Sequence, residues 1–102
     1  MKIIYVALCC MGLSTAFNDA RAGDLCRTLG VSAEKTMRAR QMGANMADLM
    51  DMVPKDQSVE KVLKSIIIQA YQRARYDTEE FQRKAIVDFS NEIQVSCYAS
   101  PQ

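Results

Sequence analysis

The N-terminal segment constrains this chain most, because it predicts both where the chain folds and how much of it folds. Met1–Lys2 supplies a short positive start, Ile3–Leu13 is apolar, and Ala20–Ala22 places small residues where signal peptidase cleaves. The apolar run is shorter than the roughly 20 residues that cross a bilayer. We predict a cleaved signal peptide at 1–22 and a periplasmic or secreted domain at 23–102, with no transmembrane anchor after processing. A retained anchor and a buried N-terminal helix are the alternatives.

Removal of 22 of the 102 residues leaves 80, a size at which folding buries only about 60% of the unfolded chain's surface. Cys9 and Cys10 belong to the predicted signal peptide, so Cys26 and Cys97 remain, near the two ends of the domain. In an oxidising compartment this pair predicts a disulfide. In the loop-closure model such a bond stabilises the fold by about 4 kcal/mol. Two metal-binding or unbridged thiols are the alternative.

The charge of the predicted domain indicates which partners it lacks. Of the 13 basic residues, Lys2 and Arg21 precede residue 23, and of the 12 acidic residues Asp19 does, so 11 positive and 11 negative charges cancel. A neutral domain with interspersed charges has no electrostatic footprint for nucleic acid or for an anionic membrane surface. We therefore expect neither as a partner.

Apolar residues that recur every four positions predict helices. The first helix runs from about Asp24 to Met42, with a break near Gly30 as the alternative, and Gly43 follows it as a C-terminal cap. Asn45 caps a short second helix that ends before Pro54. The residues that define the first apolar line are Leu25, Leu29, Ala33 and Met37.

Two further helices complete an all-α prediction. The third starts at Ser58, and its run Ile66–Ile68 makes it apolar over more than half its circumference, so we expect it at the centre of the bundle. Asp77 and Glu80 form a capping box before the fourth helix. Its apolar line consists of Phe81, Ala85, Phe89, Ile93 and Cys97. The predicted fold is a small bundle of three main helices plus one short helix, tied by one disulfide near the termini.

The complete lack of histidine argues against an enzyme. Ser-His and Cys-His nucleophile pairs, histidine general bases and histidine-bearing zinc sites all require this residue. Asp88 and Glu92 share a helix face, but Lys84 precedes them by one turn, which is typical of a solvated row of charges. We predict no enzymatic activity and no cofactor.

Methionines cluster in the middle of the chain. Met42, Met46 and Met50 are spaced by four and would form a stripe beside Leu49 on a continuous helix. Three interpretations stay open: a filled core, an adaptable groove for a partner protein, and a thioether site for Cu(I).

A second candidate surface combines aromatic residues with arginines near the end of the third helix. Such compositions are typical of interface hot spots, although packing of Tyr71 within the bundle is the alternative. The residues of this surface are Tyr71, Arg73, Arg75 and Tyr76.

The order of several residues resembles a group of small exported two-cysteine helical proteins of Gram-negative bacteria and their prophages. The matching positions are Cys26, Ala33, Arg40–Gly43, Met46, Leu49–Met50, Ile67, Ala70–Tyr71, Tyr76, Phe89 and Cys97. This resemblance implies a periplasmic location and the disulfide, and it carries over no activity.

These observations together predict an exported protein that binds another protein of the cell envelope, as an inhibitor, an immunity-type protein or an envelope regulator. A periplasmic stress chaperone is the first alternative, because acid would loosen the bundle and expose its apolar faces. Binding of Cu(I) by Met42, Met46 and Met50 is the second.

Overall fold

The computed structural model describes residues 23–55 and 58–100. Within these ranges the chain forms four helices and no strand, so the predicted all-α bundle of three main helices and one short helix is confirmed. The predicted signal peptide, 1–22, lies outside the described residues. The helices are α1 at residues 23–41, α2 at Met46–Asp51, α3 at Glu60–Tyr71 and α4 at Glu79–Ala99.

The first helix, and not the third, occupies the centre of the bundle. α1 packs against both α3 and α4, whereas Val62 and Ile68 of α3 are exposed. The expectation of a central third helix was therefore wrong, because its apolar circumference is only partly covered. The buried core consists of Ala33, Met37, Ile66, Ala70, Ile86, Phe89 and Ile93.

Contacts at the two ends of the bundle define the helix directions. At one end, which we call the disulfide end, Cys26 of α1 is bonded to Cys97 of α4. At the other end, which we call the loop end, Arg40 of α1 donates two hydrogen bonds to the Arg73 carbonyl oxygen just after α3, at 3.1 and 3.4 Å. α1 and α3 therefore run in the same direction and α4 runs back against α1. The predicted disulfide is confirmed.

The first helix continues through Gly30 without a break. Gly30 is buried against α4, and its carbonyl oxygen accepts a hydrogen bond of 2.8 Å from the Ser90 hydroxyl. The helix tolerates this glycine because the missing side chain allows close approach of the two helices.

Turn chemistry explains where the elements end. Gly43 has a φ of +86°, the left-handed conformation that glycine adopts at helix C-termini. The Asn45 side chain accepts a hydrogen bond of 2.8 Å from the Ala47 N–H, as expected of an N-cap.

The residues predicted to cap the starts of α3 and α4, Ser58 and Asp77, each lie one residue before the observed N-cap positions. Val59, not Ser58, precedes α3 and provides no side-chain cap. Thr78, not Asp77, caps α4 by accepting a hydrogen bond from the Phe81 N–H. With the helix start shifted, no glutamate occupies the capping-box position.

Phe81 also differs from its predicted place on the buried line. Its side chain is 52% exposed and its ring lies 6.0 Å from that of Tyr76.

In the described ranges, none of the helices combines the length and the apolar character needed to cross a membrane.

Candidate binding surfaces

The predicted partner-binding residues all lie toward the loop end of the bundle. Met46, Leu49 and Met50 belong to α2, Met42 lies in the turn before it, and the tyrosines and arginines follow or end α3. The Tyr71 hydroxyl donates a hydrogen bond of 2.5 Å to the Ala44 carbonyl oxygen. This bond brings the two surfaces predicted from the sequence next to each other.

The methionines do not form one stripe on a continuous helix. α1 ends at residue 41, Gly43 turns the backbone, and α2 begins only at Met46. Met42 is 76% exposed in this turn, while Met46 and Met50 are half-buried. The geometric premise of the stripe is therefore not met.

The arginines near the loop end are engaged within the chain. Arg73 pairs with Glu92 at 2.5 Å and its guanidinium lies 5.5 Å from the centre of the Phe89 ring. Arg75 donates a hydrogen bond of 3.0 Å to the Gln41 carbonyl oxygen. Arg40, which was not among the predicted binding residues, lies 5.1 Å over the Tyr71 ring. These contacts hold the α3–α4 loop against α1.

Gln41 connects α1 to the α3–α4 loop at the loop end of the bundle. This role was not predicted from the sequence. The Gln41 side chain is only 2% exposed, and its amide nitrogen donates to the Ala74 carbonyl oxygen at 2.9 Å. Its amide oxygen accepts from the Tyr76 N–H at 2.8 Å. The available signal was position, because Gln41 follows Met37 by four residues and continues the buried line with a polar side chain.

Two groups have shifted pKa values. Burial raises the pKa of the Tyr71 phenol; the positive charge of Arg40 opposes this rise and the negative charge of Asp48 adds to it. A hydrogen bond to Asp88, together with its charge, raises the pKa of the Lys84 ammonium, and the two groups lie 2.7 Å apart on the surface of α4. The row of charges predicted on α4 is thus present.

An apolar groove runs between α1, α2 and α3, and we call it the methionine groove. The groove has a volume of about 530 Å³. Met52 is one of its lining residues and is 78% exposed. Of the predicted partner-binding residues only Leu49 lines this groove. Met52 was missed because the prediction followed the four-residue spacing of Met42, Met46 and Met50, whereas Met52 and Val53 follow the end of α2 and line the groove together with Leu49. The lining residues are Ser32, Lys35, Thr36, Ala39, Leu49, Met52, Val53, Pro54, Leu63 and Ile67.

A second groove lies at the disulfide end between α1, α3 and α4, and we call it the disulfide groove. It encloses about 430 Å³, its floor is apolar, and serines stand along its rim. The lining residues are Leu25, Leu29, Lys61, Val62, Ser65, Ile66, Gln69, Ile93, Ser96, Cys97 and Ser100.

In the part of the chain that the structure describes, no three acidic or cysteine side chains gather in a way that would hold a metal ion.

Comparison of the chain with protein-family models, with curated proteins and with solved structures finds no match. The resemblance to exported two-cysteine proteins stays a prediction.

Proposed function

We propose that this protein is an exported, non-enzymatic interaction module that binds another protein of the cell envelope through the methionine groove. The observation that carries the proposal is the placement of Met52, a highly exposed methionine on an apolar groove of a small cross-linked domain. Methionine side chains are flexible and polarisable, so they adapt to the shape of a partner's apolar side chains.

The charge of the groove indicates the chemistry of the partner segment. Lys35 is the charged residue among those that line the groove, and no carboxylate in the described ranges forms an ion pair with it. An apolar segment with an acidic residue at one end would fill the groove and place its carboxylate near this ammonium. Inhibitor, immunity-type and envelope-regulator roles all fit such binding.

Export is the second part of the proposal. It is supported by the Cys26–Cys97 disulfide, since such bonds persist in oxidising compartments, and by the signal-peptide features of residues 1–22. The intact mass of the protein recovered from the periplasm tests it. We expect a chain that begins at Gly23 with both cysteines oxidised, whereas a chain that retains residues 1–22 would contradict export with cleavage.

A matched pair of substitutions tests the binding surface. Met52 and Met42 are exposed to nearly the same extent, but only Met52 lines the groove. We would capture the tagged protein from the periplasm after mild crosslinking and compare Met52→Asp with the control Met42→Asp. We expect one stoichiometric companion whose yield falls about tenfold in Met52→Asp and stays unchanged in the control.

Two outcomes would contradict the proposal. Loss of the companion in Met42→Asp but not in Met52→Asp would transfer binding to the turn at the loop end. Many sub-stoichiometric clients whose recovery rises in acid would favour the chaperone alternative instead.

A further inference from the structure

The two cysteines of the disulfide differ in accessibility. Cys26 is completely buried, with an exposed fraction of 0%, and it does not line either groove. Cys97 is half-buried and is one of the residues that line the disulfide groove. A reagent in the groove therefore meets the Cys97 side of the S–S bond.

We propose that the Cys26–Cys97 disulfide is a thiol-exchange site with a fixed direction, in which Cys97 is the attacked cysteine and Cys26 is the resolving cysteine. The co-reactant is a dithiol of the Cys-x-x-Cys class, which exchanges with disulfides through a mixed disulfide. This site is separate from the methionine groove, so the inference does not depend on the proposed function.

Reduction follows two balanced steps. A thiolate of the dithiol attacks Cys97 Sγ, a new S–S bond forms, and the bond to Cys26 breaks with its electron pair on the Cys26 sulfur, which takes up a proton. The second thiol of the dithiol then attacks the reagent sulfur that is bonded to Cys97. The disulfide of the reagent forms, and Cys97 is released as a thiol. The dithiol supplies both electrons and leaves as a disulfide.

Oxidation is the reverse sequence. The Cys97 thiolate attacks the disulfide form of the reagent, and Cys26 then attacks Cys97 Sγ and releases the reagent as a dithiol. The fold favours this second step because the Cα atoms of the two cysteines are only 5.4 Å apart in the folded domain. Cys26 needs no access to solvent, since it reacts only with its neighbour.

The shape of the groove supports access by a polypeptide reagent. Leu29, Ile66 and Ile93 provide an apolar surface beside Cys97, and Ser65 and Ser96 provide polar rims. A cleft of this size accommodates the short apolar stretch next to a reactive cysteine. Because Cys97 already lines this open cleft, the proposed attack at Cys97 needs no opening of the bundle.

Single-cysteine variants test the direction. In Cys26→Ser only Cys97 remains in the domain, and in Cys97→Ser only Cys26 remains. We expect the Cys97 thiol of the folded variant to form a mixed disulfide with an aromatic disulfide reagent about tenfold faster than the Cys26 thiol does, and the two rates to become equal in denaturant. Equal rates in both folded variants, or a faster Cys26, would overturn the proposal.

A second measurement keeps the test decisive where those variants do not fold. The oxidised wild-type domain is treated briefly with glutathione, quenched with acid, and mapped for glutathione adducts. We expect the adduct on Cys97; an adduct mainly on Cys26 would overturn the assignment.

A matched pair on α4 tests access through the groove. Ser96 lines the disulfide groove and Asn91 does not, and both are exposed. We expect Ser96→Phe to slow reduction of the native disulfide by a Cys-x-x-Cys protein several-fold and Asn91→Phe to leave it unchanged. Equal rates in both variants would show that attack does not use the groove.

Discussion

A Cβ atom at Gly30 would lie 2.7 Å from the Gln94 Cγ atom, so the absence of a side chain at Gly30 leaves room for the Gln94 side chain between α1 and α4. The same Gln94 side chain donates a hydrogen bond of 3.3 Å to the Ser90 hydroxyl, which in turn donates to the Gly30 carbonyl oxygen. A glycine that is unfavourable within a helix thus provides the space in which the two long helices meet.

The first prediction separates helix propensity from this crowding. Gly30→Ala removes an intrinsic cost of about 1 kcal/mol in the helix but displaces Gln94. We expect the single variant to be close to wild type in unfolding free energy, and Gly30→Ala to stabilise by about 1 kcal/mol in a Gln94→Ala background. Urea unfolding of the four proteins measures this difference. Equal effects of Gly30→Ala in both backgrounds would show that Gln94 does not oppose the new methyl group.

The second prediction concerns the buried amide of Gln41. Gln41→Met retains most of the volume but leaves the Ala74 carbonyl and the Tyr76 N–H without their partner. We expect a loss of about 2 kcal/mol in the free energy of unfolding. Gln72→Met, at an exposed position, serves as the control and should change stability by less than about 0.5 kcal/mol. Similar small losses in both variants would mean that Gln41 does not anchor the loop.

Apolar residues spaced by four predicted most of the buried face of each long helix, because residues at this spacing lie on one side of a helix; of the predicted lines, Leu25 and Phe81 are exposed. Ala33, Met37, Phe89 and Ile93 lie in the core as expected. The disulfide was predicted separately, from the two cysteines that remain near the ends of the predicted exported domain, and Cys97 also continues the apolar line of α4. The prediction that Phe81 is buried was wrong, because Phe81 lies in the first turn of α4. Its ring packs on Tyr76 at the surface instead of entering the bundle.

The candidate surfaces could be predicted only in part, since they depend on how elements meet. The turn at Gly43 separates Met42 from α2, and this turn decides that Met52 rather than Met42 lines a groove. The role of Gln41 depends on a loop more than thirty residues further along the chain. Spacing within one helix contains no information on such contacts.

The third prediction concerns the disulfide. Cys26 and Cys97 are separated by 71 positions, so reduction releases a long loop in the unfolded chain. We expect reduction and alkylation to lower the free energy of unfolding by about 4 kcal/mol in the loop-closure model. Denaturant midpoints of the oxidised and alkylated proteins test this, and coincident midpoints would contradict it.

The fourth prediction is a dependence of stability on alkaline pH through Tyr71. Burial raises the pKa of its phenol above the ordinary value of 10.0, so the folded state holds the proton more tightly than the unfolded state does. This contribution is complete below the ordinary pKa and is lost as the pH rises through the folded pKa. We expect the unfolding free energy to fall less steeply above about pH 10 in Tyr71→Phe than in wild type.

The same variant has a separate effect at neutral pH. Loss of the hydrogen bond from Tyr71 to the Ala44 carbonyl oxygen should cost about 1 kcal/mol. Identical alkaline slopes in wild type and Tyr71→Phe would contradict the assignment of the pH dependence to this phenol.

The most direct test of the methionine groove as a binding surface is site-specific photocrosslinking in the periplasm. A photoreactive amino acid is placed at position 52 in one strain and at position 42 in another, and adducts are counted after illumination. Our account predicts one discrete adduct of fixed mass at position 52 and none at position 42. A discrete adduct at position 42 with none at position 52, or no adduct at either position, would contradict it.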